Sequence, residues 1–222
     1  MKIRALVAEF IGTFALVFVG VGSIAVDKIS GGGLGLTGIA LASGFTIAAM
    51  INATAPVSGA HLNPAVSIAL FVTKKINATG AATYIVAQCI GAVVATALVA
   101  VCLPSHVVEV ISLGVPAINA GAGVSPMMAM LMEIILTFFL VFVIYAVAVA
   151  KRLDAVGGLV IGLTVTLGIK TGGAISGAAM NPARHLGPAI LGGGMENMWV
   201  YWVGPLVGGM LAAILYKHVL EE

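Results

Sequence analysis

Two tripeptides stand out for the chemistry their residues could do. Asn63-Pro64-Ala65 and Asn181-Pro182-Ala183 each open a short apolar segment. Asparagine is a good N-cap, and proline suits the first helical turn, where its missing N–H had no partner to lose. Each triplet therefore predicts the start of a short helix that presents a positive dipole end. A lone Asn-Pro could simply mark a turn, but two copies in one chain argue for a shared task. Arg184 follows the second triplet directly. A guanidinium amid so much apolar sequence must face water or polar backbone, and a role as a mere anchor would not explain its place beside that triplet. Glu9 and Glu133 each lie inside a long apolar run. General-acid work is one reading of them, but neither has a sequence neighbour suited to catalysis. The other reading is bracing, in which each carboxylate accepts hydrogen bonds from backbone N–H groups that no helix satisfies. The four histidines are scattered, and no Ser/His/Asp, Cys/His or metal-spaced cluster is present. The expectation is no catalytic residue, no metal and no cofactor. Cys89 and Cys102 read as packing residues rather than a disulfide or metal pair.

The elements that must carry these residues are membrane helices. Hydrophobic residues make up 61% of the 222 and charged residues 8%, against a quarter or so in soluble proteins. Long apolar runs fall at about 5–26, 34–55, 80–103, 127–150, 156–175 and 198–216. Breaks at Asp27-Lys28, Lys74-Lys75, residues 104–126, Lys151-Arg152-Asp154 and residues 192–196 separate them. A spanning helix needs about 20 apolar residues, so six spans and short loops fill the chain as one membrane domain, 1–222. The run after Lys2 and Arg4 is too long for a cleaved signal peptide and reads as the first span. Two segments behind the Asn-Pro-Ala triplets, about 63–72 and 181–190, are too short to span. They are candidates for re-entrant half-helices.

The chain also repeats itself. AEFIGTFALVFV at 8–19 matches MEIILTFFLVFV at 132–143, and SGAHLNPAVS at 58–67 matches SGAAMNPARH at 176–185. Gln88-x-x-Gly91 aligns with Pro205-x-x-Gly208. The two copies run over about 1–103 and 127–222, with three spans in each. Three is odd, so the second copy enters the bilayer from the opposite side, and such inverted repeats place their substrate path at the repeat interface. The two helix starts would then meet near the midplane. Lys2, Arg4, Lys74, Lys75, Lys151, Arg152 and Lys217 fall on one side, against Lys28 and Lys170 on the other. That bias puts both termini in the cytoplasm. A net charge of +2 is too small to imply a nucleic-acid partner.

With its paired NPA motifs, the SGAHLNPAV surroundings, Arg184 after the second motif and the three-span repeat, the whole chain resembles the aquaporin (major intrinsic protein) family. The resemblance implies an all-α membrane protein with six transmembrane helices plus two re-entrant half-helices. It implies a passive channel for water and small uncharged solutes that excludes protons and ions, built as a homotetramer in the plasma membrane. It makes Arg184 the cation of a selectivity filter, donating to a passing oxygen and repelling hydronium. It puts Ser43, Ile169 and Ala178 in the same ring. It gives His61 a place in ordering the first loop and lining the pore, beside the plain reading of a packed histidine. Strict water channels of the family carry an aromatic in the second span and a histidine in the fifth, where this chain has Ser43 and Ile169. That departure resembles archaeal aquaporins in part, and plant-type channels that admit glycerol, boric acid or other metalloid hydroxides. Against it, His185 stands where glycerol facilitators carry aspartate, and the connection 104–126 lacks their longer insertion. His185 is the residue to suspect if the pore proves narrower than these four positions allow.

Two other classes compete. An inverted-repeat secondary transporter needs coupling ionisable groups and broken spanning helices, whereas here the buried acids are two symmetric glutamates and the breaks are re-entrant. A membrane-embedded enzyme would need the catalytic cluster that the histidines do not form.

Overall fold

A computed structural model describes residues 2–150 and 156–220. Lys151, Arg152 and Asp154, used above as a break and in the charge bias, lie outside the described residues. The helices follow in order: α1 (Ile3–Ile29), α2 (Gly35–Ser58), the half-helix α3 (Pro64–Val72), α4 (Ala78–Cys102), the short α5 (Ser105–Ile111), α6 (Pro126–Ile144), α7 (Gly157–Gly172), the half-helix α8 (Pro182–Gly192) and α9 (Met198–Leu215). Helices α6 and α9 each end in a π-helical turn, Tyr145–Val149 and Tyr216–Leu220.

Among the described residues, five stretches are long and apolar enough to cross a membrane: α1, α2, α4, Pro126–Val149 and Met195–Leu220. The sixth, α7, has 16 residues, about 24 Å at 1.5 Å per residue. The apolar run read as 156–175 is therefore too long at its end. Ala174 and Ile175 are apolar, yet the chain leaves the helix at Gly172 and turns, Ile175 N–H and Ser176 N–H both donating to the Gly172 carbonyl at 2.9 Å. That turn frees the backbone to re-enter towards Asn181.

The inverted repeat is visible in the packing. Helix α1 lies on α4 and α2, as α6 lies on α9 and α7. The half-helix α8 packs on α4, and α3 packs on α9, so each half-helix docks into the other half of the protein. Helices α2 and α7 cross each other at the pseudo-twofold. The crossings use glycine for close approach. A Cβ on Gly91 would stand 2.5 Å from the Phe10 carbonyl oxygen, and one on Gly208 would collide with the Ile134 carbonyl oxygen. Phe10 and Ile134 each directly follow one of the two glutamates, so the same helix pair closes at the same depth in both halves.

Candidate functional site

Between α2 and α3, and again between α7 and α8, the chain runs non-helically through the protein interior, where its N–H groups need acceptors. Glu9, fully buried on α1, supplies them in the first half. Its Oε1 accepts from Ser58 Oγ at 2.6 Å and His61 N at 2.9 Å, and its Oε2 from Leu62 N at 2.6 Å and Gln88 Nε2 at 2.8 Å. Glu133, equally buried on α6, repeats the pattern. Its Oε1 accepts from Ser176 Oγ at 2.7 Å and Ala179 N at 2.9 Å, and its Oε2 from Met180 N at 2.7 Å. Two tyrosines close the loops from outside: Tyr84 Oη donates to Ser58 O and Tyr201 Oη to Ser176 O, both at 2.8 Å.

These bonds hold a costly backbone. Ala60 and Leu62 have φ of 52° and 51°, and Ala178 and Met180 have 46° and 51°. Left-handed conformations cost non-glycine residues about 1–2 kcal/mol each, and they persist only where the surroundings over-determine them. The glutamates do so by binding the N–H of the residue between the two strained positions and that of the second strained residue itself. Removing either carboxylate strands two backbone donors and one serine hydroxyl, each at about 1–3 kcal/mol. Glu9→Ala and Glu133→Ala are thus both expected to lower the melting temperature in detergent and the folded yield. Glu9→Ala should cost slightly more, since it also takes one of the two acceptors from Gln88. A double variant that unfolds at the wild-type temperature would contradict the bracing role.

Each Asn opens its half-helix as an N-cap. Asn63 Oδ1 accepts from Ala65 N at 2.8 Å, and Asn181 Oδ1 from Ala183 N at 3.0 Å and Arg184 N at 3.3 Å. Their amide nitrogens then reach across the pseudo-twofold. Asn63 Nδ2 donates to Met180 O at 2.8 Å and Asn181 Nδ2 to Leu62 O at 2.9 Å. Each motif is thereby tied to the residue just before the other, and the N-termini of α3 and α8 are held facing.

A cavity of about 330 Å³ runs past this junction. Ser43, Ile169, Ala178 and Arg184 all line it, and so do Asn63, Asn181 and His61. Its lining is paired by the repeat. Applying the offset between Asn63 and Asn181 matches Ser43 with Ile161, Ile51 with Ile169, Ala60 with Ala178 and Val66 with Arg184, and every one of these faces the cavity. The pairing exposes the asymmetry. Ser43, Ile169, Ala178 and Arg184 include a serine and an arginine, while their counterparts Ile161, Ile51, Ala60 and Val66 are all aliphatic. Arg184 Nη1 donates to the Gly114 carbonyl at 3.3 Å. That contact fixes one edge of the guanidinium, and among the described residues it is the side chain's one hydrogen bond. His61 Nδ1 lies 3.0 Å from Ser67 Oγ, and its ring meets Tyr84 edge-on at 4.8 Å. His185 does not line the cavity: it is fully buried and stacked on Tyr201. The suspicion that it narrows the channel directly is corrected by that placement, because the α8 helix turns position 185 away from the face that carries Arg184.

Several participants escape a sequence reading. Gly114 sits in the connection after α5, and nothing in its spacing links it to Arg184. Ser58, Ser176, Tyr84 and Tyr201 were available in principle: the serines open the repeated SGA stretch, and the two tyrosines stand in register with Gln88 and Pro205.

Comparison with known proteins is extensive. The family described as "Major intrinsic protein" matches residues 1–216. Aquaporin TIP4-4 of Zea mays is 46% identical over 96% of this chain and 85% of its own length. Probable aquaporin TIP3-2 of Arabidopsis thaliana is 41% identical over 99% and 84%. Aquaporin-4 of Mus musculus is 39% identical over 97% of this chain and 67% of its own. Among solved structures, the aquaglyceroporin of Plasmodium falciparum superposes with a TM-score of 0.85 at 29% identity, covering 98% of this chain and 96% of that one.

Proposed function

Because the chain belongs to the major intrinsic protein family, a family of channels rather than enzymes, and is a passive multi-pass membrane channel for water and small solutes, we propose that its solute range extends beyond water to compact polyols and neutral metalloid acids. The observation that carries this is the make-up of the ring around Arg184. Ser43 and Ala178 are small, and Ile169 adds an apolar surface to a lining in which Arg184 carries hydrogen-bond donors. Discrimination among neutral solutes rests on width and on matched hydrogen bonds. A polyol can lay its carbons on Ile169 while Arg184 donates to its oxygens. The likeness to a solved aquaglyceroporin supports the same reading. In this proposal Asn63-Pro64-Ala65 and Asn181-Pro182-Ala183 form the central polar station, where two positive helix ends oppose a cation. Ser43, Ile169, Ala178 and Arg184 form the filter, His61 lines the pore beyond the junction, and Glu9 and Glu133 brace the loops. We further propose one membrane domain over 1–222, a homotetramer in the plasma membrane, both termini cytoplasmic, and no catalytic role or cofactor.

Stopped-flow swelling of proteoliposomes under sucrose, glycerol and boric acid gradients tests the solute range. Water flux with glycerol and boric acid flux well above empty liposomes is the expected result. Water flux alone would restrict the channel to water, and uptake against a gradient that collapses with an ion gradient would point to a transporter instead.

A further inference from the structure

The repeat is broken at three matched positions around the two half-helices. Ser67 in the first half aligns with His185 in the second, His61 with Ala179, and Gln88 with Pro205. In the first half these residues form a polar tie. Ser67 Oγ lies 3.0 Å from His61 Nδ1 and accepts from Gln88 Nε2 at 3.1 Å, joining α3 to its loop and to α4. Ala179 and Pro205 can make no such bonds, so the second half must hold its half-helix to its loop by another device.

The device is a stack. His185 is fully buried, and among the described residues neither ring nitrogen has a hydrogen-bond partner. Its ring lies flat on that of Tyr201, with centroids 4.0 Å apart and planes 14° from parallel. Tyr84, the counterpart of Tyr201, instead meets its histidine edge-on at 77°. From Tyr201 a chain of contacts leads to the channel wall. Its Oη donates to Ser176 O at 2.8 Å, and Ser176 Oγ donates to Glu133 while accepting from Ala178 N at 3.2 Å. Ala178 faces the channel, and so does Arg184, the residue next to His185 on α8.

We infer that His185 is a positioning residue for solute selectivity: by clamping Tyr201 against α8 it sets the distance between Arg184 on the half-helix and Ala178 on the loop, and with it the width of the filter. The inference rests on the reading of Arg184 and Ala178 as filter residues. A smaller residue at 185 would let the Tyr201 ring settle, and the loop carrying Ala178 would shift with it. A flat apolar ring there would keep the spacing, since the nitrogens have no part in it.

The test compares wild type, His185→Ser, His185→Phe, Tyr201→Phe and Arg184→Val in one proteoliposome assay of water, formamide and glycerol permeability, with melting temperatures recorded in parallel. His185→Ser is expected to change the glycerol-to-water or formamide-to-water ratio by about threefold or more, a barrier difference well within reach of a small change in fit. His185→Phe should keep the wild-type ratio. Tyr201→Phe, which retains the stack and loses the bond to Ser176, should shift the ratio as His185→Ser does. If Arg184→Val changes the ratio while His185→Ser and Tyr201→Phe merely lower stability at an unchanged ratio, the positioning role is overturned and the filter reading stands. If Arg184→Val leaves the ratio unchanged, the filter reading itself falls. Should His185→Ser fail to fold, Tyr201→Phe decides: a shifted ratio upholds the inference and a wild-type ratio overturns it.

Discussion

Arg184→Val vesicles should conduct water, pass glycerol faster than wild type, and leak monovalent cations. Val66, the counterpart of Arg184 across the pseudo-twofold, already shows that valine fits this helix position beside the channel. The substitution therefore makes the two sides of the junction alike without demanding a new packing. What it removes is a fixed positive charge held at the wall by the Gly114 carbonyl. A cation passing about 5 Å from that charge meets a repulsion of about 3 kcal/mol at an effective dielectric constant of about 20. Mobile ions and water in the mouth reduce this figure, so a gain in cation flux of about 10- to 100-fold is the expected scale, at roughly 1.4 kcal/mol per decade. The positive ends of α3 and α8 remain, and they should keep part of the barrier at the centre. Ion flux is read with a potential-sensitive dye or a pH-sensitive dye in the same vesicles used for swelling. Unchanged solute selectivity together with no new leak would remove Arg184 from the filter.

How much of this site the sequence carries depends on whether a residue acts alone or through a fold. The asparagine caps were legible because Asn-Pro is a local signal: the side chain bonds a backbone N–H two residues away. The glutamates were legible for a different reason. A carboxylate in an apolar run must find donors, and its second copy at the matching position implied the same donors twice. Their actual partners, a serine hydroxyl and the two N–H groups before each asparagine, depend on a left-handed backbone at Ala60, Leu62, Ala178 and Met180. Neither alanine nor the larger pair announces a positive φ, so that geometry could not be read in advance. The end of α7 is not legible in the sequence, because apolar character persists past Gly172 while the helical hydrogen-bonding pattern does not. Gly114 and the reciprocal bonds of Asn63 and Asn181 join residues 70 to 119 positions apart, and only the folded chain brings such partners together.

The largest effect on solute size is expected from closing the proposed filter at its two permissive walls. Ser43 on α2 and Ile169 on α7 lie on helices that cross each other, and Gly162 and Gly44 keep that crossing close. Side chains added there project into the channel rather than into lipid, because both positions already line the cavity. In Ser43→Phe/Ile169→His the aromatic fills the space above the serine. The histidine replaces an apolar part of the lining with a hydrogen-bonding one. Water needs only a width near its own diameter and gains a partner, so its permeability should stay within about threefold of wild type. Glycerol and boric acid lose both width and the apolar surface of Ile169. A barrier rise of about 1.4–3 kcal/mol would reduce their flux by about 10- to 100-fold. The single variants separate the two causes. Ser43→Phe should act on width and penalise solutes in order of cross-section, whereas Ile169→His should penalise the carbon-rich polyol more than boric acid. If the wild-type channel already rejects glycerol and boric acid, the narrowing group is neither of these side chains. His185 is then no candidate for direct obstruction, since it is buried behind the wall on Tyr201. The guanidinium itself, drawn to its place by Gly114, becomes the group that sets the limit, and Arg184→Val alone would then admit glycerol.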